Sequence, residues 1–525
     1  MMLNFGPIIL LYCIDISLGA NILYLAPFRS KSHGIFLKPI GLELARRGHN
    51  VTVLTSSQDL NPPRNYNQIV IEVKGMWEYM GTKRPNVYDS NEMTAIEFIN
   101  KVLWVGGLAY TENILNSTEF QQFLSKNNKF DLVICEALIQ EALYALAHKY
   151  SAPLVLVTAF GNCMRHNLAV GNPLQLATTL YEFLAVEDPT SFLGRLENLY
   201  TSLYEFFWWR FWYLYKQEEL VRKYIPNLAQ PVPSLYEMQR NASLFLINSH
   251  FSFDSSVPYL PNIIEIGGIH THSDDRSIPR DIEKILNDSK DGVVYVNFGS
   301  NIRSSELPPS KRKVFLTVFG RLNKTVLWKW EDNNTQDMPL NVATRKWFPQ
   351  NKILSHSNIK LFIGHGGLMS TQEAVFHGVP ILGIPIYADQ YNNLLLAQEI
   401  GFGKILKYRD INEESLDNAI NDILQNNDYM NKAKAVSKRF KDRPMNPAET
   451  ALFWIEYVLR NDGAHHMKSS GFDMHWLVYN MLDVYIFILI LLLASMYLLY
   501  KVISVLAKLS QSRVVVRLRM DKKLK

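Results

Sequence analysis

Ile363-Gly364-His365-Gly366-Gly367 follows an apolar run and precedes Ser370-Thr371-Gln372-Glu373, which opens a helical pattern. Glycines let a backbone approach a ligand closely, and a helix N-terminus presents unpaired amides in a positive potential. A diphosphate is the natural guest of such a turn. Upstream, Trp347-Phe348-Pro349-Gln350 offers an aromatic face for a base and an amide for its edge. Glu373 suits ribose hydroxyls, and Tyr387-Ala388-Asp389-Gln390 brings a carboxylate and an amide suited to sugar hydroxyls. Each part also has a plain structural use. Ser370 with Glu373 spells a capping box, Trp347 suits a core, and Asp389 suits an N-cap. Far upstream, His33 in Ser30-Lys31-Ser32-His33-Gly34 carries an imidazole whose ordinary pKa, about 6.5, fits proton transfer.

The elements that must position these groups alternate between strand and helix, the pattern of α/β units with parallel sheets. In the first half, strands are expected at 21–26, 51–55, 69–73, 131–135 and 153–158, with helices at 36–47 and 140–149. In the second, strands are expected at 293–298, 325–330, 360–363 and 381–386, with helices at 310–322, 371–377, 390–400, 414–424 and 428–439. Pro258, Pro261, Gly267 and Gly268 punctuate the join, giving domains at 21–260 and 261–446. A helix at 447–459 within a 447–476 linker could cross back to the first domain. Two doubly wound domains facing each other create a cleft between the carboxyl ends of their strands. Between the halves, 200–223 is strongly aromatic, with Phe206, Phe207, Trp208, Trp209, Phe211, Trp212 and Tyr213. It reads equally as a core helix or as a lid that also touches a bilayer interface.

The 525 residues, 48% hydrophobic and 20% charged, are enough for a large core, and neither repeats nor low-complexity tracts interrupt them. Much of the net charge of +5 sits at the C-terminus, so it says little about nucleic acid, which is not expected as a partner, and more about membrane orientation. Cys135 and Cys163 in the folded body are expected as buried free thiols, and neither a disulfide framework nor a four-ligand zinc site is expected. Residues 1–20 read as a cleaved signal peptide. An apolar stretch at 477–500 reads as a transmembrane helix, followed by a basic tail at 501–525 that the positive-inside rule makes cytoplasmic. The body is then lumenal, which accommodates the sequons at Asn50, Asn116, Asn241, Asn287, Asn323 and Asn333. Lys522-Lys523-Leu524-Lys525 resembles a dilysine retrieval signal of endoplasmic-reticulum membrane proteins.

Taken together, Trp347-x-Pro-Gln350, His365-Gly-Gly, Glu373-Ala374, His377-Gly378-Val379-Pro380 and Asp389-Gln390 resemble the signature of UDP-glycosyltransferases. The resemblance extends over nearly the whole chain, and Leu327-Trp328-Lys329-Trp330-Glu331 looks most like the insect branch. It implies two facing Rossmann-like domains, the GT-B glycosyltransferase fold, with the donor on the C-terminal domain. By position, Trp347 would stack on uracil and Gln350 would hold the nucleotide. His365, Gly366, Gly367 and Ser370 would bind diphosphate, with Ser300 near the phosphates. Glu373 would bind ribose, and Asp389 with Gln390 the sugar.

The family's catalytic base matches His33, and its carboxylate partner falls on Glu136, with Glu141 as the second candidate. Two departures stand out: Gly364 replaces the usual Thr or Ser, and Met369 stands where vertebrate members often have Asn. The expected activity is inverting transfer of a hexose, glucose or glucuronate, from a UDP-sugar to small lipophilic acceptors. No Asp-x-Asp motif suggests a metal. A weakened homologue that binds UDP-sugar or lipophiles is the alternative, and a homo-oligomer stays open. An α/β hydrolase is excluded by the missing Gly-x-Ser-x-Gly elbow.

Overall fold

The computed structural model describes residues 19–523 apart from 255, 273–276, 334 and 473. The expected signal peptide falls largely on residues 1–18 and the dilysine signal ends on 524 and 525, so neither lies wholly within the described residues.

Among these residues the chain forms two parallel sheets. The first contains β1 (Asn21–Ala26), β2 (Asn50–Thr55), β3 (Tyr66–Val70), β4 (Leu132–Glu136), β5 (Leu154–Val157), β6 (Leu244–Ile247) and β7 (Ile263–Glu265). Its order is β3-β2-β1-β4-β5-β6-β7. The second contains β8 (Val293–Asn297), β9 (Thr325–Lys329), β10 (Val342–Arg345), β11 (Ile359–Gly364), β12 (Ile381–Gly383) and β13 (Gly403–Ile405), in the order β10-β9-β8-β11-β12-β13. Strands such as β4 and β8 are buried along their whole length, as sheets covered by helices on both faces require. β7 pairs with β6, so the first sheet runs a few residues past the expected boundary at 261.

Each sheet reverses its winding once, between β1 and β4 in the first and between β8 and β11 in the second. At such a switch point neighbouring loops diverge to opposite faces and leave a crevice beyond the strand ends.

The helix Pro447–Arg460 returns to the first half. Its Ala451, Leu452, Ile455 and Val458 join a core with Ile22, Val155 and Leu244, and Arg47 pairs with Glu449 and Glu456. Pro447 in the first turn and the Asn446 cap, whose side chain accepts the amide of Glu449, start this helix.

The aromatic stretch is one continuous helical rod, Phe192–Trp208, a π-turn Trp209–Tyr213 and Leu214–Tyr224. Part of it serves the core. Trp209 and Tyr213 are fully buried, with Trp209 Nε1 donating to Glu141 Oε1 at 3.0 Å, while Phe207, Trp208 and Phe211 stay about half exposed or more. Residues 469–525 form a second unit, which contains the helix Leu482–Lys523. Its span Leu482–Arg513 is long and apolar enough to cross a bilayer, by length and composition.

Candidate active site

The helix after β1 begins at Lys31, earlier than the pattern suggested, so His33 sits in its first turn rather than in a loop. Glu136 is the last residue of β4, the strand paired with β1. The switch point therefore joins residues 103 positions apart: His33 Nδ1 lies 2.5 Å from Glu136 Oε1. Glu136 is buried, and its second oxygen accepts a bond from Gln140 Nε2 at 3.3 Å. The edges of Phe28 and Phe160 flank the imidazole, at ring-centroid separations of 4.8 and 5.7 Å. Glu141 lies elsewhere, on Trp209, and Asp131 caps the far end of the sheet by accepting the amide of Asn21 at 2.7 Å.

In the second half, β11 ends at Gly364 and the next helix starts at Leu368. Gly367 occupies the N-cap position, so Ser370 and Glu373 lie inside the helix and form no capping box. Gln350 instead ties them together, donating to Ser370 Oγ at 2.9 Å and to Glu373 Oε2 at 2.5 Å. Gln350 Oε1 in turn accepts from Asn297 Nδ2 at 2.6 Å, while Asn297 Oδ1 accepts the amide of Gly299 at 2.8 Å. One polar chain thus fixes the turns after β8 and before β11. Trp347 projects beside it, 37% exposed, with the Lys31 ammonium 4.5 Å over its ring.

His365 is clamped between two glycines. A Cβ at Gly299 or Gly367 would lie 2.6 or 2.5 Å from its ring. Burial, with Lys329 adding to it, lowers the imidazole pKa to about 4, so the ring is neutral at physiological pH. Its Nδ1 is buried without a partner among the described residues. Gly366 has a φ of +85°, and a Cβ there would meet Leu394 at 2.5 Å. These glycines, the unpartnered ring nitrogen and the free helix start fit an anion held against main chain.

Asp389 opens the helix Gln390–Ile400 without capping it, because its Oδ2 instead accepts from Asn393 Nδ2 at 2.9 Å. Burial pushes this carboxyl up to about 6, opposed chiefly by the Asn393 bond. Gln390 is buried, and its Oε1 accepts the amides of Ile386 and Tyr387 at 2.8 and 3.1 Å. Ser300 follows Gly299 in the turn after β8.

The two departures from the family pattern have packing reasons. A Cβ at Gly364 would meet the Phe362 ring at 2.6 Å, so the missing hydroxyl makes room for that ring. Met369 packs against the core of the first half.

Two residues of the site escaped the sequence reading. Lys329, buried at the end of β9, donates to Gly299 O at 2.8 Å and pairs with Glu331 at 2.5 Å. Asn297 anchors the turn after β8. A charged residue closing an apolar strand was the available signal for Lys329; Asn297 left none.

Cys135 and Cys163 are buried free thiols. No group of residues with metal-ligand character occurs among the described residues.

The family described as UDP-glucoronosyl and UDP-glucosyl transferase matches residues 22–514. A UDP-glucosyltransferase 2 of Dactylopius coccus is 35% identical over 478 residues, covering 90% of each chain. UDP-glycosyltransferase UGT5 of the same insect is 34% identical over 496 residues, covering 93% of this chain and 92% of that one. A 2-hydroxyacylsphingosine 1-beta-galactosyltransferase of Rattus norvegicus is 28% identical over 494 residues, 92% of this chain and 88% of the relative. Among solved structures, a UDP-glucosyltransferase from Polygonum tinctorium superposes with a TM-score of 0.56 at 14% identity, over 84% of this chain and 99% of that one. LpCGTa in complex with UDP superposes with a TM-score of 0.52 at 14% identity, over 84% of this chain and 99% of that one, and the fold is the GT-B arrangement of two parallel sheets. With a full-length family match, relatives above 30% identity and the two sheets in place, the chain is a glycosyltransferase of the UDP-glucoronosyl and UDP-glucosyl transferase family.

Proposed function

We propose that this enzyme transfers a hexose, glucose first, with inversion from a UDP-sugar to a hydroxyl of small lipophilic acceptors. The observation that carries the reading is the 2.5 Å contact between His33 Nδ1 and Glu136 Oε1. A carboxylate on Nδ1 fixes the proton there and leaves the Nε2 lone pair as the base, and it stabilises the imidazolium that forms. Nε2 takes the acceptor's proton as its oxygen attacks the anomeric carbon. The bond from that carbon to the β-phosphate oxygen breaks, and UDP leaves from the opposite face. The leaving diphosphate meets the amides of Gly366 and Gly367, the neutral His365 and the helix that starts at Leu368. Buried Lys329 adds positive charge behind Gly299. Trp347 takes the uracil face, Gln350 and Glu373 the ribose side, Ser300 and Ser370 the phosphates, and Asp389 with Gln390 the sugar. Glu136 retains the charge of the family's Asp, and its extra methylene is absorbed at bonding distance from His33.

Glucose is favoured by the insect relatives, one of which is named a UDP-glucosyltransferase. The test is a panel of UDP-glucose, UDP-glucuronate and UDP-galactose with simple phenols, on membranes carrying the wild type and His33→Ala. Turnover on UDP-glucose that His33→Ala abolishes, with UDP binding retained, supports the assignment; equal turnover by the variant sinks it. A weakened homologue would give no glycoside even in a single-turnover assay with labelled donor. For topology, we propose a single-pass endoplasmic-reticulum protein with a lumenal body and cytoplasmic tail. All six sequon asparagines are exposed, which suits glycan attachment. Loss of a gel-mobility shift on endoglycosidase treatment is the expected result, and a chain without glycans would overturn it.

A further inference from the structure

A strap from the acceptor half is built into the donor half. Asn86 caps the short helix Val87–Glu92, accepting the amide of Tyr88 at 3.0 Å. Tyr88 is 3% exposed and belongs not to the first core but to the second, with Val294, Phe298, Ile302 and Trp328. Its ring stacks on Tyr408 at a centroid separation of 5.2 Å. Three side chains of the strap then satisfy three main-chain carbonyls of one turn. Arg84 Nη2 donates to Asn301 O at 2.8 Å, Tyr88 OH to Arg303 O at 3.2 Å, and Asn86 Nδ2 to Glu306 O at 3.0 Å. Arg84 also reaches the Glu306 carboxylate at 3.3 Å.

The turn held this way continues directly from Gly299 and Ser300, beside His365. The same segment of chain touches the other side of the site. Phe98 packs on Tyr387 at 5.9 Å, and the Arg84 charge acts on Tyr387, two residues before Asp389. Polar side chains spent on another domain's main-chain carbonyls fix a backbone conformation, and a turn fixed before binding loses less entropy when it closes on a ligand.

We propose that Arg84, with Asn86 and Tyr88, is a positioning device for the diphosphate turn, so that the acceptor half sets donor affinity without touching the donor. The proposal rests on the reading of Gly299-Ser300 as part of the donor site. Arg84 is partly exposed and its truncation leaves the cores intact, whereas Tyr88→Phe removes one hydrogen bond and keeps the stack.

The experiment is titration of the detergent-solubilised full chain with UDP, together with donor kinetics and a melting curve. Arg84→Ala should raise the UDP Kd and the donor KM about tenfold, the worth of a charge-assisted hydrogen bond, and leave kcat at saturating donor within about twofold. Arg84→Lys, which keeps the charge and one donor, should recover much of that loss. Tyr88→Phe should move Kd in the same direction by less. If wild type binds UDP and Arg84→Ala binds it equally well while melting lower, the strap is merely structural and the proposal fails. If wild type itself binds no UDP, the donor-site reading fails instead.

Discussion

The two switch points share one geometry and are filled with opposite chemistry. At β1 and β4 the crevice carries a histidine–carboxylate pair, His33 and Glu136, with the His33 ring set between the edges of Phe28 and Phe160. At β8 and β11 it carries glycines, amides and a histidine kept neutral by burial. In the proposed reaction the first takes a proton and the second receives negative charge. The fold supplies a place, and the loop residues supply the chemistry proposed for it.

The halves also differ in what lies behind the site. The second is braced by short hydrogen bonds from Asn297 through Gln350 to Glu373. The first is braced by a buried charge cluster. Arg165 donates to Glu205 at 2.9 Å and to Leu138 O at 2.6 Å, with Glu141 and Glu182 nearby. One guanidinium cannot neutralise three carboxylates, and burial pushes Glu141 and Glu182 up toward their protonated forms.

The sharpest way to separate the halves is His33→Ala. Turnover should fall about 10³-fold, within the range of a lost general base, while the UDP Kd stays unchanged. A parallel loss of UDP binding would show that the halves are not separable in this way. Next in size is Arg165→Met, which strands buried carboxylates and should cost about 3–5 kcal/mol in the first half. A large drop in melting temperature is expected, with UDP affinity retained by whatever fraction stays folded; an unchanged melting curve would remove the charge cluster from the account.

Trp347→Ala addresses the second half, and also removes the ring beneath the Lys31 ammonium of the first. Lost stacking should weaken UDP binding by about 1–3 kcal/mol, roughly 5- to 150-fold in Kd, with little change in melting because the ring is partly exposed. Equal UDP affinity would take the nucleobase off this ring.

The smallest expected effect is a pH dependence. With the Asp389 carboxyl raised to about 6, lowering the pH through 6 protonates it and should raise the KM for UDP-glucose a few-fold, leaving the Kd for UDP flat. Asp389→Asn should abolish that dependence. The same shift subtracts stability as pH rises from the ordinary carboxylate range through about 6, since the folded state then keeps a proton that the unfolded chain has released.

Legibility followed contiguity. Trp347 to Gln390 is 44 residues long by position, and its motif parts could be weighed together because neighbouring βα turns of one sheet stay close in sequence. His33 was legible only through family resemblance, since a single histidine after a strand has no local pattern. The helix start at Lys31 was missed because Gly34 and Pro39 disguise the first turns. The Ser370 and Glu373 spacing suggested a capping box that the earlier helix start at Leu368 excludes.

The sequence by itself determined the alternation of strands and helices, the glycine turn, the donor motif and the apolar C-terminal helix, because each rests on residues within about one element of each other. Tertiary structure alone decided the rest. It chose Glu136 over Glu141 for His33, placed Lys329 behind Gly299 and drew the Arg84–Tyr88 strap across to the second half. Those contacts join segments some 30 to 220 residues apart. Only sheet order and the crossing of the cleft bring such segments together, and no local spacing encodes either.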